Sequence, residues 1–138
     1  MTATEIAPVP GAELPGPETA VLRYRPESAR SARRLVRAKL REWQLPQLVD
    51  AAELIVTELV SNALKTGCTT LMLVGVRHRA DGTVRIQVRD GSRELPVLVE
   101  AGPDDESHRG LTLVRSLAAS WGADRDPYGK TVYADLRP

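Results

Sequence analysis

The stretch "AAELIVTELVSNALKTG", Ala51 to Gly67, decides how the rest of the chain must fold. Ala51, Ala52, Leu54, Ile55, Val56, Leu59, Val60, Ala63 and Leu64 run almost all the way round a helix. A girdle that wide belongs to a helix buried on most sides. Yet Glu58, Asn62 and Lys65 follow at steps of four and three, which places them on one face, with Ser61 at its border. Burying a carboxylate or an amide without a partner is expensive. The stripe therefore lies either at the wet edge of the helix or against a polar pocket. Pro46 marks the helix start and Gly67 its end, giving a helix over about 47–65.

Upstream, "PESARSARRLVRAKLREWQLP" (Pro26 to Pro46) is a second amphipathic helix opening near Pro26 and Ser28. Ala32, Leu35, Val36, Leu40 and Trp43 make its apolar stripe, and Arg30, Arg33, Arg34, Arg37, Lys39 and Arg41 cover the remainder. Such a face is a solvated surface whose long stems lie over the core, or a contact surface for an acidic partner or DNA. "TAVLRYR", 19–25, is a first strand.

Downstream, "TTLMLVGVRHRA" (69–80) is a long strand, Asp81–Gly82 a hairpin turn, and "TVRIQVRD" (83–90) an alternating strand. Val84, Ile86 and Val88 point one way; Thr83, Arg85, Gln87 and Arg89 point to the wet side. Residues 91–108 lack periodicity, and "GPDDESH" within them suggests a mobile segment. Leu111, Val114, Leu117, Ala118 and Trp121 mark a third helix, with Ser107 as N-cap and Gly110 in the first turn. "GKTVYADLRP" closes the chain as a strand with Val132, Ala134 and Leu136 inward. The order predicts an α/β fold: a two-layer α/β sandwich with a mixed, mostly antiparallel sheet and three helices on one face.

The 138 residues suit one domain, with residues 1–18, rich in Pro, Gly and Ala, as a disordered tail and 19–138 as the domain. Phe is absent, so Val, Leu, Ile and Ala must build the core. A net charge of +1, from 19 basic and 18 acidic residues, gives no case for nucleic acid or an anionic membrane. A single cysteine, Cys68, excludes an internal disulfide and fits a reducing cytoplasm. No apolar run is long enough to span a bilayer, and the N-terminus does not read as a signal peptide.

Several polar residues stand out against this frame. Asp90 ends its strand on the face of Val84, Ile86 and Val88, as a turn residue or as an acceptor for an N–H donor such as an exocyclic amine. An amide such as Asn62 can ligate Mg²⁺, which prefers oxygen ligands and keeps several waters. A carboxylate one turn away, Glu58, can take a proton from a hydroxyl, and Lys65 can meet a phosphate as a point charge. In "SHRGLTLV" (107–114), Gly110 at a helix start allows close approach of a phosphate to free N–H groups, with Arg109 beside it. Taken together these groups describe a nucleoside triphosphate with Mg²⁺.

The chain resembles GHKL-type ATPases, in particular the stand-alone members of the bacterial anti-sigma-factor serine/threonine kinase family. "ELVSNALKTG" resembles their N box, "VRDGSRELP" the first glycine box, "HRGLTLV" the second and "GKTVYADL" the terminal strand motif. The resemblance implies a Bergerat fold, ATP with Mg²⁺, and phosphorylation of a serine or threonine on a small anti-sigma antagonist, or capture of a sigma factor. It implies Glu58 as general base, Asn62 as Mg²⁺ ligand and Asp90 as adenine acceptor. Arg109, Gly110 and Leu111 would lie under the phosphates, and Lys65, Ser92 and Thr131 would complete the nucleotide-binding set. Related proteins are often dimers, so a homodimer is a further expectation. Three positions depart from the pattern: Ser92 and His108 replace glycines, and Lys130 stands where the family has Thr, with Thr131 next. These changes reduce backbone freedom over the nucleotide. They favour an alternative, a non-catalytic partner-binding module with weak or lost ATP binding. A sensor histidine kinase does not fit: only His78 and His108 are present, with no long dimerising helices.

Overall fold

The structure, a computed structural model, describes residues 18–66, 71–91 and 106–138, with only the backbone for 106–111. The elements are β1 (Thr19–Leu22), α1 (Ser28–Glu42), a 3-10 turn (Pro46–Leu48), α2 (Val49–Leu64), β2 (Met72–His78), β3 (Val84–Asp90), α3 (Glu106–Leu117), β4 (Ser120–Asp126) and β5 (Gly129–Leu136). One sheet runs in the order β1-β2-β3-β5-β4. All four pairings are antiparallel, where the sequence suggested a mixed sheet. The two-layer α/β sandwich is present. β4 and β5 form a hairpin, and β5 inserts between β4 and β3, so no two neighbours run the same way.

The core lies between the helices and one face of the sheet. Ala52, Ile55, Val56, Leu59, Val60 and Ala63 of α2 are buried against Ala32, Val36 and Leu40 of α1 and Met72, Val74, Val76, Val84, Ile86, Val88, Val132, Ala134 and Leu136 of the sheet. Burying one such side chain is worth about 1.5–3 kcal/mol, which makes α2 the keystone of the layer. The girdle has one gap: Leu54 is 48% exposed. At the residue before it, Glu53, Arg37 of α1 makes an ion pair at 2.6 Å. Arg33 donates to Thr57 Oγ1 at 3.1 Å. Part of the basic face of α1 thus ties α1 to α2, while Arg30, Arg34 and Arg41 are exposed.

Three boundaries differ from the sequence reading. β1 ends at Leu22, because the chain turns at Arg23–Arg25. α3 begins at Glu106, so Ser107 lies inside the helix and is no N-cap, and Gly110 is its fifth residue. Trp121 belongs to β4, opposite Ala134; the switch occurs where Ala118 N still donates to Val114 O and Ala119 N donates to Asp135 O. Trp121 packs on the core from a strand, which is why it mimicked one more helical step. Gly67 and the 1–17 tail lie outside the described residues.

The Asp81–Gly82 turn joins β2 to β3 as expected. Gly82 has φ +89° and donates its N–H to Arg79 O at 2.9 Å. The first helix ends on Gln44, at φ 60°, with Gln44 N donating to Arg41 O and Leu45 N to Leu40 O. That pair of bonds is a Schellman stop.

Candidate functional site

The connection from α2 to β2 is short, and Leu73 near the start of β2 pairs with Arg89 near the end of β3. The C-terminal half of α2, carrying Glu58, Asn62 and Lys65, therefore precedes the strand end that lies beside the finish of β3 at Asp90, and α2 packs on β3. The chain leaves β3 at that end and re-enters the sheet at Ser120, which pairs with Asp135 at the other end. α3 packs on α2 and spans the distance between.

Asp90 faces the core as the alternation predicts, with its side chain 1% exposed. Its surroundings were not foreseen. Lys130 of β5 is directly opposite it in register, also 1% exposed, and Lys130 Nζ lies 2.9 Å from Asp90 Oδ2. Tyr24 donates its hydroxyl to Asp90 Oδ1 at 2.5 Å and accepts Gly91 N–H at 3.2 Å. Sequence reasoning missed Tyr24 and Lys130. The signal for Lys130 was available: two residues before Val132 on an alternating strand, it has to point inward. The neighbouring Gly129 packs on the Asp90 backbone, and a Cβ there would overlap the Asp90 carbonyl oxygen.

Glu58 and Asn62 are half-buried, one turn apart on α2. Neither has a hydrogen bond or ion pair among the described residues. Lys65 caps the helix and is exposed. A carboxylate and an amide left without partners at a helix face are groups kept for a ligand or for water. No group of three His, Cys, Asp or Glu side chains that could hold a metal is found among the described residues. The donor set fits Mg²⁺ held by one amide oxygen together with phosphates, the usual form for that ion. It does not fit an all-protein cage.

Thr131 lies on the opposite face of the sheet from Asp90: it pairs with Arg89 in register and accepts from Arg89 Nη1 at 3.2 Å. Arg89 also departs from expectation. It is 7% exposed, covered because its guanidinium bonds Asp126 at 2.7 Å. That contact and the Tyr128 N–H hold the Asp126 carboxyl down to about 2. On the same face Arg85 forks onto Asp135 at 2.7 and 2.9 Å, which lowers the Asp135 carboxyl. The side chains of Arg109 and Leu111 are not described, and Ser92 lies outside the described residues. At backbone level the first four N–H groups of α3 belong to residues 106–109. Arg109 is in the first turn of α3 and Gly110 is just beyond it, one position deeper than the sequence suggested.

No helix of the described residues is long and apolar enough to cross a membrane. A comparison with curated protein sequences found no match. Among solved structures, the chain is similar to the RsbU and RsbW domains of Rv1364c from Mycobacterium tuberculosis, at 22% identity and a TM-score of 0.58. The likeness covers 86% of this chain and 32% of that one, and at this identity it bears on the fold. The family model of the histidine kinase-like ATPase domain matches residues 22–135. That span takes in every described element except part of β1 and the end of β5, and by it the chain belongs to the histidine kinase-like, GHKL-type ATPase family.

Proposed function

We propose that this chain is an ATP- and Mg²⁺-binding cytoplasmic regulator of the anti-sigma-factor kind. It phosphorylates a serine or threonine on a small antagonist protein and engages a sigma factor. The family and the RsbW domain in the similar solved structure support the class. The observation that supports the reading is the pair Glu58 and Asn62, half-buried and unpartnered among the described residues, on the helix that precedes β2, the neighbour of the strand ending in Asp90.

ATP with Mg²⁺ supplies a transferable phosphoryl group and the charge that offsets its oxygens. The chain supplies position. The Asp90 carboxylate accepts an N–H from the base, and the Asn62 amide oxygen ligates the cation. Lys65, Arg109 and the N–H groups opening α3, with Gly110 and Leu111 behind them, receive the phosphates. Ser92 belongs to the same binding set. Glu58 takes the proton from the hydroxyl of the partner's serine or threonine, which raises the nucleophilicity of that oxygen. Thr131 faces the outer side of the sheet, so its part is to hold Arg89 and the end of β3. A homodimer is part of the same proposal.

Glu58→Ala tests the assignment. It abolishes phosphorylation of the antagonist protein and leaves Mg-ATP affinity within about twofold of wild type, a change too small to reflect a lost hydrogen bond. Wild-type phosphorylation by Glu58→Ala contradicts the role of Glu58.

A second reading has a specific observation in its favour. Both carboxylate oxygens of Asp90 are already engaged, by Tyr24 and Lys130. A protein that had given up ATP would use the same pair as a structural tie and act by masking its partner.

A further inference from the structure

We propose that the outer face of the α1–α2 layer is the contact surface of a two-fold dimer, in which α1 of one copy lies on α2 of the other. This gives the homodimer of the reading above its surface. It rests on that part of the reading alone and not on nucleotide binding.

The two helices run antiparallel. Arg37 meets Glu53 and Arg33 meets Thr57, so descending α1 is ascending α2. On α1, Arg34, Ala38 and Arg41 are exposed and follow at steps of four and three, which places them on one face. That row is basic, small, basic. On α2, Asp50, Leu54 and Glu58 follow at steps of four, again on one face. That row is acidic, large and apolar, acidic; Asp50 and Leu54 are exposed and Glu58 is half-buried. The level fixed by Arg37 and Glu53 sets Arg41 beside Asp50, Ala38 beside Leu54 and Arg34 beside Glu58, to within about half a helical turn. A two-fold axis parallel to the helices and midway between them lays each row on its complement in the other copy at the same level. It does so twice, as a self-complementary contact requires. Arginines then meet carboxylates, and Leu54 enters the shallow place at the partner's Ala38. Within one chain the complement goes unused: Arg34, Arg41, Asp50 and Glu58 have no ion pair or hydrogen bond among the described residues. An acidic partner would match the row on α1 and be repelled by the acids on α2. A second copy matches both. A lone exposed leucine is ordinary on a protein surface; Leu54 is set apart by the acids on either side and by the matching row one helix away. Because Glu58 belongs to this face, the dimer and a phosphoacceptor protein would exclude one another.

The test is sedimentation equilibrium of the full chain, without nucleotide, up to about 0.1 mM. Wild type should approach twice the chain mass of 15.1 kDa. Leu54→Asp should raise the dimer dissociation constant at least about 100-fold, because the dimer holds the contact twice and each buried leucine is worth about tenfold or more. Arg41→Asp and Asp50→Arg should each weaken the dimer about tenfold or more, since each sets like charges opposite one another. The double variant restores opposite charges across the contact and should recover most of the loss. These substitutions are at exposed positions, and circular dichroism melts establish that the variants are folded. A wild-type chain that stays monomeric at about 0.1 mM overturns this proposal and the homodimer with it. A dimer indifferent to Leu54→Asp overturns this surface and leaves a homodimer formed through another face. A double variant no tighter than the single ones overturns the matching of the two rows. None of these outcomes bears on ATP binding, which the nucleotide titrations decide separately.

Discussion

Asp90 and Lys130 face each other across β3 and β5, 40 residues apart in the chain, as a buried ion pair with Nζ 2.9 Å from Oδ2 and both side chains 1% exposed. The pair joins the strand that ends at the candidate nucleotide site to the strand that closes the fold. It is where stability and function meet most closely.

Removing one partner leaves the other charge buried and unpaired, which typically costs about 3–5 kcal/mol. Lys130→Met should lose stability in that range by urea denaturation. The double variant Asp90→Leu with Lys130→Met should recover much of it, because no charge is left stranded. Additive losses in the double variant would show that the two side chains do not act as a pair.

The end of α1 offers a stabilising change. Gln44 holds φ 60° in a Schellman stop whose bonds run from Gln44 N to Arg41 O and from Leu45 N to Leu40 O. A side chain pays a steric penalty there that glycine does not. Gln44→Gly should raise stability by about 0.5–1 kcal/mol, measured as a higher urea midpoint with an unchanged slope. A loss of stability would contradict the assigned geometry.

The outer face of the sheet governs behaviour in acid. Arg89 and the Tyr128 N–H hold the Asp126 carboxyl at about 2, below its ordinary 3.8, and Arg85 with Ser120 lowers that of Asp135. Both groups are depressed in the fold, so their contribution is fully present above about pH 4 and is lost as pH falls toward 2. Carboxyl carbon NMR titration should find Asp126 titrating near 2. In Arg89→Ala it should move back toward 3.8. An Asp126 midpoint unmoved by that change would remove Arg89 as the cause.

How much of this was legible beforehand follows from local pattern. The burial of α2, the stripe of α1 and the inward turn of Asp90 are set by periods of 3.6 and 2, which need no knowledge of the rest of the chain. Arg89 was placed on the wet side and the inward side chain of Lys130 was overlooked, for one reason. A lone charge on a strand reads as a wet position, and each is buried only because an acid arrives from a distant strand: Asp90 for Lys130, Asp126 for Arg89. β4 was hidden because "SWGADRD" has no apolar alternation beyond Trp121 and Ala123, and its place is fixed by register with β5. The start of α3 was set too late because Ser107 and Gly110 imitate a helix cap. The pair Glu58 and Asn62, unpartnered among the described residues, was visible as a stripe of the wrong polarity on a buried helix.

The account depends most on Asp90 receiving a nucleotide base. Calorimetric titration of wild type and Asp90→Ala with Mg-ATP measures this directly, with circular dichroism melts to confirm that the variant is folded. Wild type should bind with a measurable heat, and Asp90→Ala should bind at least about tenfold more weakly, the loss expected for one hydrogen bond to a charged group. The contradicting result is either no heat and no thermal shift for wild type at millimolar nucleotide, or a folded Asp90→Ala that binds as well as wild type.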